Sequence, residues 1–122
     1  MTTSGKRRPP ASKGGAVALE AGQGRYRVWL KIVKLDASVI CILGGGERSH
    51  VGGCVIAEPG KKARVLDVEG HYDVQVLFPI AEAACRKYNM PAAALGGVHV
   101  DDATEEEIGI LVANCRELAK CI

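Results

Sequence analysis

The chain has 122 residues and a mass of 12.9 kDa, a length that fits one domain and leaves no room for a second core of ordinary size. Hydrophobic residues make up 48% and charged residues 25%, which excludes wholesale disorder, a collagen-like chain and a coiled-coil rod. The formal net charge is only +2 and aromatic residues are 4%, so the composition disfavours nucleic acid as a partner.

The positive charge is concentrated at the N-terminus. Residues 1–20 carry four basic residues and one acid, a net of +3 that leaves −1 for residues 21–122. Residues 1–15 also lack apolar periodicity and are rich in glycine, proline and polar residues. We therefore expect a disordered basic tail over residues 1–20 and a single domain over residues 21–122.

The five cysteines form no CxxC pair, and nothing resembles a secretory leader, so we expect reduced thiols in a cytoplasmic protein. Four of them lie inside apolar runs and are expected to be inert core residues: Cys41, Cys54, Cys85 and Cys115. No apolar run approaches the roughly 20 residues that span a bilayer, so we expect no membrane partner.

Hydrophobic periodicity predicts five strands. Alternation of apolar and polar residues from Gly24 to Ile32 indicates a half-buried strand, followed by a turn at Leu35-Asp36. Further strands are predicted at residues 37–43, 51–57, 64–68 and 92–100. The short links between the first four strands favour an antiparallel meander.

Two helices complete the predicted fold. The first ends near Tyr88, and Asp73 is a plausible N-cap, although Pro79 then predicts a kink or a late start. The second opens with a Thr104/Glu107 capping box. We expect an α+β domain of two layers, a mixed, mainly antiparallel sheet of about five strands with both helices on one face.

Each of the three histidines follows glycine at an expected strand end: His50, His71 and His99. Such loops indicate a pocket in which backbone N–H groups and Arg48 hold an anion while imidazoles exchange protons. Ordinary turns that need a positive φ explain the same glycines equally well. Three imidazoles are also the ligands of some catalytic zinc sites, although no pair has helical spacing.

These loops resemble, in order and spacing, the family of prenylated-flavin chaperone-like proteins, the small D subunits found with hydroxyarylic-acid (gallate-type) decarboxylases. The resemblance extends from Ser38 to the C-terminus. Its motifs are Gly44-Gly45 with His50-Val51-Gly52, Glu69-Gly70-His71 with Asp73, and Gly97-Val98-His99-Val100-Asp101 with Thr104 and Ile108.

The resemblance implies a non-catalytic subunit that binds prenylated FMN or FMN as cargo and delivers it to a decarboxylase. The cofactor-binding residues would be Gly44, Gly45, Arg48, His50, Gly52, Gly70, His71, Gly97, His99 and Asp101. Small residues from Ala92 to Gly97 would let a planar ligand approach the sheet.

Two other hypotheses remain open from the residues alone. One is a small enzyme that uses histidine as acid–base catalyst on an anionic metabolite, with or without a metal. The other is a structural oligomerisation module, with Trp29 and Val33 on the outer face of the first predicted strand supplying part of its interface. A homo-oligomer is expected.

Overall fold

The computed structural model describes residues 5–7, 16–68 and 73–122, and their side chains from residue 16 onward. A single turn of 3₁₀ helix covers Gly24–Tyr26. The strands and helices in chain order are β1 Gly5–Arg7, β2 Ala16–Ala21, β3 Val28–Lys34, β4 Val39–Gly45, β5 Arg48–Ala57, β6 Arg64–Asp67, α1 Val74–Tyr88, β7 Ala92–His99 and α2 Glu105–Lys120.

The described residues form one mixed sheet with the strand order β1-β2-β3-β4-β7-β5-β6. Only the β4–β7 pair is parallel among these strands. The expected α+β class and mainly antiparallel sheet are confirmed. The sheet has six strands from residue 16 onward and the three-residue β1 at its edge, rather than about five.

Strand β2 corrects the expected extent of the tail. Residues 16–20 form most of this strand, which pairs antiparallel with β3 along its whole length. Val17 and Leu19 alternate with polar or small residues, and both side chains are buried. The alternation of buried and exposed side chains that is typical of a strand therefore begins before residue 21. Burial of Val17 and Leu19 stabilises the pairing of residues 16–20 with β3. Residues 1–4 and 8–15 of the expected tail lie outside the described residues.

Strand β7 interrupts the expected meander. It lies between β4 and β5, parallel to the first and antiparallel to the second. Sequential strands β4 and β5 are thereby separated in the sheet, although only two residues connect them in the chain. The ends of β4, β5 and β7 consequently meet at one edge, where Gly46 also bridges to His99.

Both helices cover one face of the sheet, as expected. The core between the layers contains Leu30, Leu43, Leu77, Ile80 and Leu118, all almost fully buried.

Helix α1 begins directly after Asp73, without the late start expected from Pro79, which lies within its second turn. Pro79 offers no N–H to the Gln75 carbonyl four residues earlier.

The opposite face of the sheet carries no helix in the described part of the chain. Cys54 points to this side, level with Leu66 and Leu95, and its side chain is half-buried. The expectation of an inert core thiol is therefore wrong for Cys54, whereas Cys41, Cys85 and Cys115 are buried. Neither helix is both long and apolar enough to cross a membrane.

The role of β2 can be tested by truncating its core side chain. Leu19→Ala should lower the free energy of unfolding by about 2–5 kcal/mol, because it opens a cavity in a packed core. Ala18→Ser, on the exposed face of the same strand, should change it by less than about 0.5 kcal/mol. Urea denaturation of both variants measures the difference. Equal free energies of unfolding for the two variants would show that Leu19 does not contribute to the core and that residues 16–20 belong to the tail.

Candidate functional site

A cavity of about 360 Å³ opens where β7 ends and both helices begin. Its buried lining includes Val76, Leu111 and Cys115, and its opening, which we call the mouth, carries the exposed side chains of His99, Asp102 and Ile108. The lining consists of His50, Asp73, Gln75, Val76, Val98, His99, Val100, Asp102, Ala103, Ile108, Leu111, Val112 and Cys115. Concave apolar sites with a few polar groups at one end are typical of small-molecule binding.

A buried carboxylate organises the mouth of this cavity. Asp73 Oδ2 lies 3.0 Å from His50 Nε2, and Asp73 Oδ1 accepts a 3.0 Å hydrogen bond from the Val98 backbone N–H. Asp73 is 9% exposed and occupies the N-cap position of α1, yet its side chain makes no capping hydrogen bond. The carboxylate instead binds His50 and fixes the orientation of its imidazole.

Two glycines give this carboxylate its space above the sheet. A Cβ atom on Gly52 would overlap Asp73 Oδ2, and one on Gly97 would lie 2.8 Å from the same oxygen and 2.9 Å from His50 Nε2. Gly52 and Gly97 belong to β5 and β7, near an irregularity in the pairing of these strands. Both glycines therefore belong to the site because they lack a side chain, and neither needs a positive φ here.

The second imidazole lies beside the first. The ring centroids of His50 and His99 are 6.2 Å apart, and the rings are nearly perpendicular, at 80°. His99 Nε2 is 3.0 Å from Asp101 Oδ1, which also accepts a hydrogen bond from Arg48. These bonds, that from Arg48 first, hold the pKa of Asp101 below its usual value. His99, which lines the cavity, is thus linked through Asp101 to Arg48, and we call these three residues the rim.

A polar network fixes the loop between β7 and α2. Glu47 accepts a 2.8 Å hydrogen bond from the Asp101 backbone N–H, and Arg25 binds the Asp101 carbonyl. Glu107 accepts from the Tyr26 hydroxyl at 2.6 Å, and this bond chiefly lowers the pKa of Glu107. The predicted Thr104/Glu107 capping box is present. This loop is therefore anchored to the turn between β4 and β5, to the 3₁₀ helix and to the first turn of α2.

The glycine loop does not form the expected anion cradle. Gly45 N donates to Ser49 Oγ, Gly46 N to the Arg27 carbonyl, and Glu47 N to the His99 carbonyl. Their N–H groups are therefore used by the protein itself. Gly44 lacks a side chain because the Trp29 ring packs across it. The structure thus favours turns and close backbone contacts as the reason for these glycines.

The small residues of β7 also have a structural role. Ala92 and Ala94 are buried beneath α1, where they admit the helix rather than a planar ligand. The apolar end of the cavity is formed mainly by α2, with Leu111 and Cys115 facing α1. Burial raises the pKa of the Cys115 thiol to about 12, so this group stays protonated and apolar at neutral pH.

Sequence reasoning placed His50 and His99 in one site, and the structure brings both to the cavity. Gly70 and His71 lie outside the described residues, so convergence of all three imidazoles stays a prediction. Arg48 and Asp101 are hydrogen-bonded to each other beside His99 but do not line the cavity, and Gly44 and Gly45 are the last two residues of β4.

Asp73 was absent from the predicted binding residues, because its place before a helix suggested a cap. Its position beside a loop that contains glycine and histidine was the sequence feature that could have identified it as a site residue. Among residues 16–68 and 73–122, no cluster of histidine, cysteine and acidic side chains is arranged to hold a metal ion.

The fold and this site define a small α+β domain whose cavity combines apolar side chains with two imidazoles and a buried carboxylate. Residues 22–122 match the family model described as the prenylated flavin chaperone LpdD-like domain, and the chain therefore belongs to this family. A comparison with curated protein sequences finds no match.

A solved structure shares the fold. Its title is "Crystal Structure of a Novel Chaperone Complex for Yeast 20S Proteasome Assembly". The match has a TM-score of 0.53 and 13% identity, and it covers 99% of this chain and 92% of that chain. At this identity the likeness concerns the fold alone.

The requirement for a glycine beside Asp73 can be tested by comparing an alanine substitution there with one at an exposed glycine of α2. Gly52→Ala should cost about 1–3 kcal/mol of unfolding free energy, because the new methyl group displaces the Asp73 carboxylate. Gly109→Ala, on α2 with open space around the position, should stabilise the protein by about 0.5–1 kcal/mol. Thermal and urea unfolding report both values. A neutral Gly52→Ala would show that the carboxylate does not depend on this space.

Proposed function

We propose that this protein is a non-catalytic accessory subunit that binds prenylated FMN, or FMN, and delivers it to a flavin-dependent decarboxylase in the cytoplasm. Membership of the prenylated flavin chaperone family supports the accessory role. The observation that carries the proposal for this chain is the cavity, whose apolar side chains and two imidazoles match the two kinds of surface on a prenylated flavin.

The ligand's orientation follows from the polarity of the cavity. Isoprenoid-derived carbons and the apolar edge of the ring system fit the end lined by Val76, Leu111 and Val112. The imidazoles of His50 and His99 are placed to exchange hydrogen bonds with polar ring atoms at the mouth. A volume of about 360 Å³ is at the small end of ligand sites, so one end of the molecule enters and the ribityl phosphate stays outside.

Arg48 is the residue proposed to receive this phosphate. Its side chain is 66% exposed, and one of its nitrogens binds Asp101, which in turn contacts His99 at the mouth. A guanidinium has five N–H donors, so the bond to Asp101 leaves donors for an anion. This role replaces the backbone cradle expected at the glycine loop.

The apolar wall can be tested with two isoleucines on the same helix. Ile108 and Ile110 are both exposed on α2, but only Ile108 lines the cavity. Ile108→Asp should weaken FMN and prenylated-FMN binding at least about tenfold, or about 1.4 kcal/mol. Ile110→Asp should leave the affinity within about threefold. Flavin fluorescence titration measures both, and equal affinities would place the ligand elsewhere.

The phosphate role makes a separate prediction. Wild-type protein should bind FMN more tightly than riboflavin, which lacks the phosphate, and Arg48→Ala should abolish the difference, with the riboflavin affinity unchanged. Isothermal titration calorimetry gives the dissociation constants of FMN and of riboflavin for the wild type and for Arg48→Ala. Unchanged FMN affinity in Arg48→Ala would remove the phosphate role while leaving the cavity assignment standing.

The His50–Asp73 pair favours one alternative function. An imidazole held by a buried carboxylate at the mouth of a cavity is also the arrangement that a histidine acid–base enzyme needs. The two functions differ in turnover. Steady conversion of a hydroxyarylic acid or another anionic metabolite by the isolated protein, abolished in His50→Ala, would favour the enzyme over the accessory subunit.

A further inference from the structure

Asp102 has a backbone conformation that this chain otherwise uses mainly at glycines. Its φ is 51°, and in residues 16–68 and 73–122 Asn89 is the only other non-glycine residue with a positive φ. Asn89 follows the last residue of α1, where a left-handed residue is common. Asp102 ends no helix and lies in the turn between β7 and α2. Aspartate tolerates this region better than most residues, yet glycine would be less strained there.

The side chain of Asp102 has no partner that explains its presence in this turn. Its carboxylate makes no hydrogen bond or ion pair with any other described residue. The neighbouring Asp101 carboxylate is the one that binds Arg48 and His99, and Thr104 caps α2. Non-glycine residues that stay in the left-handed region cluster at ligand-binding sites. The side chain of Asp102 therefore points to a role outside the fold itself.

The location of Asp102 gives that role a candidate. Asp102 lines the cavity, and its side chain is exposed at the mouth beside His99. Asp73 is the other carboxylate of the lining, but its two oxygens already contact His50 and the Val98 N–H. Asp102 is thus the lining carboxylate that remains available to a ligand. A carboxylate only accepts hydrogen bonds, so the group that it binds carries a donor.

The flavin proposed above has one such donor at its polar end, and the inference rests on that proposed function. The oxidised isoalloxazine ring has a single N–H group, at N3 between the two carbonyl groups. N3 lies at the end of the ring system opposite the methyl-substituted edge. An apolar edge that packs against Leu111 and Val112 therefore leaves N3 on the side of the mouth, where His99 and Asp102 lie.

We propose that Asp102 is a ligand-contacting residue whose carboxylate accepts the hydrogen bond of the ring N3–H. A hydrogen bond to an ionised acceptor is stronger than one between neutral groups. It makes the site selective for a ring with a free N–H at its polar end, because an analogue without this donor leaves the carboxylate unpaired. The apolar side chains of the cavity cannot supply this selectivity.

The hydrogen bond can be tested with FMN and 3-methyl-FMN, which differ only in the substituent on N3. Wild-type protein should bind FMN at least about tenfold more tightly. Asp102→Gly should bind the two ligands within about threefold of each other. The readout is the ratio of the two dissociation constants, in which the effect of the changed charge on the phosphate cancels. Flavin fluorescence titration measures all four constants.

The melting temperature separates ligand contact from a structural role. Glycine adopts a φ of 51° without strain, so Asp102→Gly should melt at or above the wild-type temperature. Asn89→Gly is the matched control, because Asn89 has the same φ and does not line this cavity. It should also melt at or above the wild-type temperature, and its ratio of dissociation constants should remain at least about tenfold. Differential scanning fluorimetry gives the temperatures.

Four results would overturn the inference. Equal wild-type affinities for FMN and 3-methyl-FMN would exclude the N3 contact while leaving flavin binding itself established. A tenfold ratio that persists in Asp102→Gly would assign the selectivity to another residue. A lower melting temperature of Asp102→Gly would give the side chain a structural role instead. Failure of the wild type to bind either ligand would remove FMN from the proposed function and this inference with it.

Discussion

The candidate site depends on one buried carboxylate. A carboxylate that leaves water is costly unless charged or hydrogen-bonding partners replace the solvent, and Asp73 has the His50 imidazole and the Val98 N–H. These two bonds connect the beginning of α1 to β5 and β7. A side chain at Gly52 or Gly97 would occupy the space that the carboxylate group fills. The helix start, the imidazole and the strand irregularity are therefore one structural unit.

The rim of the cavity has a different electrostatic character from its interior. Low pKa values keep Asp101 and Glu107 ionised at neutral pH, and Arg25 and Arg48 pair with them. The stabilisation from these ionised groups is present above their ordinary pKa and is lost as the pH falls through the lowered values. Inside the cavity the protonated Cys115 thiol adds no charge. The rim therefore carries carboxylates paired with two arginines, whereas the buried lining near Cys115 is neutral.

Local pattern was sufficient to predict most of the fold. Alternation predicted β3, an apolar run predicted β4, and the Thr104/Glu107 capping box predicted α2. The order of strands was not predictable in this way, because the position of β7 between β4 and β5 depends on contacts between residues that are far apart in the sequence. The same limit applies to the site: His50 and His99 were recognised by their shared glycine context, whereas the carboxylate of Asp73 is recognisable only when β5 and β7 are seen to lie beneath it.

If the protein delivers a ligand as proposed, partial enclosure of that ligand would be an advantage. An enzyme gains rate by surrounding the reacting atoms with preorganised groups, and a carrier gains nothing from interactions that its partner must then break. In residues 16–68 and 73–122, every buried side-chain nitrogen or oxygen already has a hydrogen-bond partner within the protein. In the proposed role, binding would thus combine apolar contact with α2 and hydrogen bonds to exposed groups such as Arg48. In that role, both kinds of contact would be lost stepwise as a partner enzyme captures the exposed end of the ligand, and release would not require a buried polar bond to be broken first.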